Sequence, residues 1–275
     1  MMPDALLPLV VEPAALEASF GMDGLLVVDV SDAQRYAEGH VPGAVNFSYA
    51  ALIGAQPPAM GLIAPEEQLG AALAAIGLTP DLHVVAYDGE GNGRASRLLW
   101  TLDALGHTRF SLLDGGFRAW TEEGHPVETD PPPPPTPSQY RAQLSNPAVI
   151  ASKGYIIDHL DDPDVIVLDV RSAAEYAGED VRAARGGHIP GAVNMDWTLA
   201  MDRGRNLRFL PPAELTALLA ERGVTQDKEV IAHCQTHHRS AHTCWVLKSL
   251  GFPRVRGYDG SWSDWGNDPD TPIES

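Results

Sequence analysis

The sequence predicts an α/β fold in two tandem domains, each a mainly parallel sheet flanked by helices. Short apolar runs without polar alternation, typical of strands buried on both faces, alternate with segments of helical spacing. The same motifs occur twice in the same order, and a run of five prolines separates the two occurrences.

The first copy starts with Leu25–Val30 (LLVVDV), an apolar run that reads as a parallel strand. Asp32–Glu38 follows as a short helix, and His40–Asn46 (HVPGAVN) as a turn leading to another strand. Glu66–Ile76 is rich in alanine and leucine, follows Pro65 and stops at Gly77, the marks of a helix. His83–Tyr87 (HVVAY) is the next strand, Asp88–Gly93 (DGEGNG) a loop, and Arg94–Leu105 a helix with Gly106 behind it. Phe110–Leu113 and then DGGFRAW give a last strand and a short helix.

Asp130–Ser138 (DPPPPPTPS) breaks the pattern, because consecutive prolines fit neither a helix nor a sheet and form a stiff extended spacer. It reads as a linker between a first domain, residues 1–129, and a second, residues 139–275. After it, VIVLDV (Val165–Val170) repeats LLVVDV, HIPGAVN repeats HVPGAVN, and YDGSWSDW repeats LDGGFRAW. The offset between copies is 140 at Asp29/Asp169, 148 at His40/His188 and 145 at Trp120/Trp265. The insertion GEDVRAAR, just before Gly186, accounts for the early change. Glu214–Glu221 is a helix stopped by Gly223, and Val230–His233 a strand.

Thirty-seven acidic against 19 basic residues give a formal charge of −18, which argues against nucleic acid or an anionic membrane as partner. Cys234 and Cys244 are ten residues apart, about 15 Å of helix rise, which is too far for a disulfide. Reduced thiols, no signal-peptide pattern in MMPDALLPLVVEP and no membrane-length apolar run lead to the expectation of a soluble, cytoplasmic protein.

Glu229–Leu250 concentrates the chemistry. A buried strand runs into the loop Cys234–Ser240 (CQTHHRS), and a helical pattern follows from Thr243 to Leu250. A loop closed by a helix N-terminus gathers unpaired amide N–H groups in one place and favours negative charge there. Cys234 at its mouth should therefore ionise easily and act as a nucleophile. Arg239 adds permanent positive charge. The reading requires the loop amides to face the thiol and the thiol to face an opening.

VLDVRSAAEY, GGHIPGAVNM, the CQTHHRS loop and YDGSWSDWG together resemble the tandem-domain rhodaneses of bacterial type, the thiosulfate:cyanide sulfurtransferases. The resemblance covers nearly the whole chain. It implies a nucleophilic cysteine in the second domain, Cys234, and a catalytically silent first domain, where Asp88 stands in the matching place. It also implies double displacement: Cys234 takes the sulfane sulfur of thiosulfate as a persulfide and passes it to cyanide or a thiol. A protein sulfur acceptor is a further candidate partner, and no cofactor or metal is implied. Gln235, Thr236, His237, His238, Arg239 and Ser240 would form the anion-binding loop. Arg239 either holds the donor's oxyanion end or braces the loop through its planar fork. Arg171, Arg185 and Trp197 are candidate substrate contacts, and Asp169 is a structural residue near the site. His233 is expected to point away from the thiol, His242 to pack at the surface, Cys244 to be a core residue, and His40 and His188 to be structural.

Four rival readings use the same residues. With 3-mercaptopyruvate as donor, the resemblance would call for a glycine-rich CG[SA]GVT loop and a basic residue where Glu175 stands; CQTHHRS and Glu175 both favour thiosulfate. Cysteine phosphatases place five residues between Cys and Arg, whereas Cys234 and Arg239 have four between them and Asp88 and Arg94 have five. His233, Cys234, His237, His238 and His242 offer metal-binding groups, but their spacing matches no standard zinc pattern. A persulfide carrier or thiol-redox protein would share the Cys234 chemistry and turn over poorly with cyanide.

Overall fold

A computed structural model describes residues 5–275. Val10–Val11 (β1) leads to helix Pro13–Ala18 (α1), where proline at the first helical position has no N–H to leave unpaired. Leu25–Asp29 (β2), Ala33–Glu38 (α2) and Val45–Asn46 (β3) follow within a residue or two of the sequence expectation. A hairpin, Ile53–Gln56 (β4) with Ala59–Ile63 (β5), was not foreseen. Glu66–Ala75 (α3), His83–Tyr87 (β6), Gly93–Ala104 (α4), Phe110–Leu113 (β7) and Gly116–Glu122 (α5) complete the first copy.

The second copy contains Lys153–Asp158 (α6), Val165–Asp169 (β8), Ala173–Tyr176 (α7) and Val193–Asn194 (β9). Next come the short strands Met201–Asp202 (β10) and Arg208–Phe209 (β11), then helix Pro212–Ala220 (α8). Glu229–His233 (β12), Arg239–Ser249 (α9), Val255–Gly257 (β13) and Ser261–Trp265 (α10) close the chain. Asp130–Ser138 carries no helix or strand.

Contacts divide the chain into two units. One holds the chain up to Leu52 together with Ala64–Asn146 and Asp202–Phe209. The other holds Ile53–Ile63, Pro147–Met201 and Leu210–Ser275, so the β4–β5 hairpin belongs with the second sequence copy.

The first unit's sheet has the order β1-β7-β6-β2-β3, and all its pairings are parallel. The second has the order β13-β12-β8-β9, also parallel. Where β1 would lie, it keeps one parallel bridge between Ile150 and Gly257. The duplication extends to side chains. Tyr36 donates to the Ala44 carbonyl and Tyr176 to the Ala192 carbonyl, each at 2.7 Å. The indole N–H groups of Trp120 and Trp265, both buried in their cores, donate to the Pro126 and Pro272 carbonyls. His40 stacks on Tyr36 and His188 on Tyr176, and each ring Nδ1 lies 3.0 Å from that tyrosine's carbonyl oxygen. These are packing roles, present in both copies.

Candidate active site

β12 runs between β13 and β8, and its residues from Val230 to His233 are buried. Ligand sites in such sheets form beyond the carboxyl ends of the strands, and Cys234 is the first residue past that end. Its backbone is pinned on both sides. The Cys234 amide donates to Ser261 Oγ at 3.2 Å, and the Cys234 and Gln235 carbonyls accept from the amides of Trp262 and Ser263. The start of α10 therefore holds the loop against the sheet.

The loop amides face inward. His237 N–H donates to Cys234 Sγ at 3.1 Å, and the Ser240 hydroxyl donates at 3.5 Å. Burial pushes the Cys234 thiol up, but the Arg239 charge, the Ser240 hydroxyl and the amides of Ser240 and Thr236 outweigh it. The net result is a thiol below its ordinary pKa, as a nucleophile near neutral pH needs.

The expected opening is not there. Cys234 is 0% exposed. The β4–β5 hairpin presses on the same loop: a Cβ added at Gly61 would lie 2.5 Å from the Thr236 carbonyl oxygen and 2.7 Å from that of Asp259. Met60 N–H donates to Ser263 Oγ and Ile63 N–H to the Asp259 carboxylate, at 3.1 and 2.8 Å. Only a residue without a side chain fits at position 61.

Arg239 spends its fork on the protein itself. Its two terminal nitrogens donate to the two Glu175 oxygens at 2.7 and 2.9 Å. Glu175 also closes a capping box with Ser172 at the start of α7. Burial raises the Glu175 carboxyl, yet Arg239, the Ser172 amide and Arg182 bring it down to about 2. Of the two roles open to Arg239, the geometry gives the brace, with a fixed positive charge beside the thiol.

The other predicted residues fall into place around this centre. Arg171, 1% exposed, grips Asp169 through Nε and Nη2, donates to the Gly187 carbonyl at 2.8 Å and stacks on Trp262 at 4.3 Å. Arg185 donates to the carbonyls of Thr271, Trp265 and Asp268 and to the Thr271 hydroxyl. Both bind their own chain, so the expected part in anion recognition gives way to a bracing one. Asp169 is two residues from Arg171, but the carbonyl partners, Gly187 for Arg171 and Trp265, Asp268 and Thr271 for Arg185, lie 16 to 86 positions away and left no local signal.

Trp197 is half-buried and meets His242 edge-on, with centroids 5.1 Å apart, and His238 at 6.4 Å. His242 is buried rather than at the surface, and burial pushes its imidazole down to about 3. α9 is buried along Ser240–Leu247, so its polar residues did not mark an outer face. His233 is also buried, with Nε2 3.5 Å from Asp169. Gln235 reaches the Arg182 carbonyl at 3.1 Å. Cys244 is buried, and Cys234 and Cys244 are both thiols.

The first copy repeats the cradle with its own anion in it. Asp88 Oδ1 accepts from the amides of Glu90 and Asn92 at 2.7 and 2.8 Å, and Oδ2 from those of Arg94 and Ala95 at 2.9 and 3.0 Å. Burial outweighs these four donors, so the Asp88 carboxyl lies above its ordinary value. A cavity of about 210 Å³ adjoins it, lined in part by Ser31, Arg35 and Arg94.

Two parallel α/β units with a cysteine cradle in one and a carboxylate-filled cradle in the other define a tandem rhodanese-type architecture. A family model for the rhodanese-like domain matches residues 12–123 and 152–268, and the chain belongs to that family. It is 46% identical over 270 residues to a thiosulfate sulfurtransferase of Azotobacter vinelandii, covering 98% of each chain. It is 44% identical over 271 residues to a thiosulfate sulfurtransferase of Pseudomonas aeruginosa, covering 98% of this chain and 97% of that one. A sulfur carrier protein, TtuD of Thermus thermophilus, is 33% identical over 261 residues, 90% of each chain. Among solved structures, an anaerobic ergothioneine biosynthesis enzyme of Chlorobium limicola superposes with a TM-score of 0.84 at 24% identity, covering 97% of this chain and 70% of that one. That likeness is one of fold. Among the described residues no helix is long and apolar enough to cross a membrane.

Proposed function

We propose that the chain is a thiosulfate sulfurtransferase that moves sulfane sulfur through a persulfide on Cys234. The Cys234 thiolate attacks the outer sulfur of thiosulfate, the S–S bond breaks, and sulfite leaves with the bonding pair. Cyanide or a thiolate then attacks the outer persulfide sulfur, and the Cys234 thiolate is regenerated. The observation that carries the reading is the convergence of the His237 amide, the Ser240 hydroxyl and the Arg239 charge on one sulfur atom. These groups stabilise a thiolate and the persulfide anion alike. Cys234 is buried, against the opening the reading requires, so sulfur transfer depends on whatever covers the thiol moving aside before thiosulfate can reach it.

Thiosulfate is favoured over 3-mercaptopyruvate by the relatives that are thiosulfate sulfurtransferases, while the Arg239 fork, filled by Glu175, offers neither donor anion a bidentate clamp. The first domain acts as a silent partner, since the Asp88 carboxylate cannot carry a transferable sulfur and occupies its own cradle. Two cysteines kept as thiols fit the cytoplasm. A second reading, delivery of the sulfur to a protein acceptor, draws on the relative that is a sulfur carrier. Initial rates with thiosulfate and cyanide both varied test the first reading. Parallel double-reciprocal lines are expected, with kcat/KM for thiosulfate above that for mercaptopyruvate. Intersecting lines would refute a persulfide intermediate, and thiosulfate turnover that needs a protein acceptor would favour the carrier.

A further inference from the structure

His237 directs its backbone amide at the reacting sulfur and its ring at Ser240, whose hydroxyl donates to that same sulfur. Its φ of +61° is a left-handed conformation that costs a non-glycine residue about 1 kcal/mol. Glycine would sit there unstrained, so the histidine points to a use for its ring. Nδ1 lies 2.7 Å from Ser240 Oγ, and Ser240 Oγ lies 3.5 Å from Cys234 Sγ. His237, Ser240 and Cys234 are all buried without measurable exposure.

We infer that Cys234, Ser240 and His237 form a proton relay that takes the thiol proton to His237 Nδ1 when the nucleophile is generated. The inference rests on the sulfur-transfer reading above. In the thiol state the chain runs from S–H to the Ser240 oxygen and from the Ser240 O–H to Nδ1. In the thiolate state it runs the other way, from Nδ1–H to Oγ and from Oγ–H to Sγ. Passage between them moves two protons by one position each: the thiol proton to Oγ, the hydroxyl proton to Nδ1. Sulfur gains a negative charge and the ring a positive one, and no other reactant is consumed. Sulfur release regenerates the thiolate, so the relay stays charged between turnovers.

The other ionisable groups around the loop are committed elsewhere. On β12, His233 Nδ1 lies 3.3 Å from the Cys234 carbonyl and its Nε2 meets Asp169, which is itself held by Arg171 on the β8 side. On α9, Arg239 is a permanent cation bound to Glu175 of α7, and burial keeps His242 from holding a proton near neutral pH. His238 faces Trp197. Asp259, before α10, accepts from the Ile63 and Gly260 amides.

The test is the pH profile of Cys234 alkylation by iodoacetamide in the full chain, for wild type, Ser240→Ala, His237→Asn and the double variant. Asparagine tolerates the left-handed backbone but does not titrate. Each single variant should raise the alkylation midpoint by about one pH unit, roughly tenfold in rate at pH 7, and the double should raise it no further. An unmoved midpoint in His237→Asn, or shifts that add in the double, would overturn the relay. His237→Gly repeats the measurement if the asparagine variant does not fold. Wild type that takes no sulfur from thiosulfate at any pH would instead sink the sulfur-transfer reading, since alkylation does not depend on it.

Discussion

Replacing Glu175 with glutamine keeps the shape of the Arg239 contact and removes its charge. The Glu175 carboxyl is held at about 2 against an ordinary 4.5, a difference of about 2.5 pH units. At about 1.36 kcal/mol per unit, the charged form is favoured in the folded chain by about 3 kcal/mol. That agrees with the ~3–5 kcal/mol expected for breaking a buried pair. Because the folded pKa is depressed, this stability is fully present above pH 4.5 and is lost as pH falls toward 2. Urea unfolding should find Glu175→Gln less stable than wild type by about 3 kcal/mol at pH 7 and by about 1.5 kcal/mol at pH 3. Loading of Cys234 should slow as well, since a loosened Arg239 no longer fixes its charge beside the thiol. A gap below about 0.5 kcal/mol at pH 7, or one that stays constant with pH, would refute the argument.

Gly61→Ala should push the β4–β5 hairpin off the loop, because the added carbon meets backbone oxygens at 2.5 and 2.7 Å. A stability loss of about 1–3 kcal/mol and faster alkylation of Cys234 are expected; an unchanged alkylation rate would show that the hairpin does not limit access. Asp88→Ala leaves four amides, two of them buried, without their carboxylate and should cost about 2–3 kcal/mol in unfolding experiments. Its sulfur-transfer kcat should stay within about twofold of wild type, and a larger fall would give the first domain a part in the chemistry.

What the sequence made legible was local. Strands buried on both faces read directly, and His83–Tyr87 and Phe110–Leu113 match end to end. α9 begins at Arg239 rather than Thr243 because its first turn is polar and shows no apolar period. Val10–Val11 is too short to carry a pattern. The β4–β5 hairpin turns through Pro57–Pro58 and finds its partners about 200 positions away, at Asp259 and Ser263. The site divides in the same manner. The cradle follows from a strand, a loop and a helix start, all within Glu229–Ser249. Glu175 lies 64 positions from Arg239, and in sequence it marked only a missing basic residue. Nothing local signals the closure over Cys234, which comes from packing.

The most direct measurement of the central claim is the mass of the Cys234 peptide after the protein meets thiosulfate. A gain of one sulfur, about 32 Da, on Cys234 and its removal by cyanide are predicted. An unchanged peptide, or a sulfur found on Cys244 instead, would contradict the account.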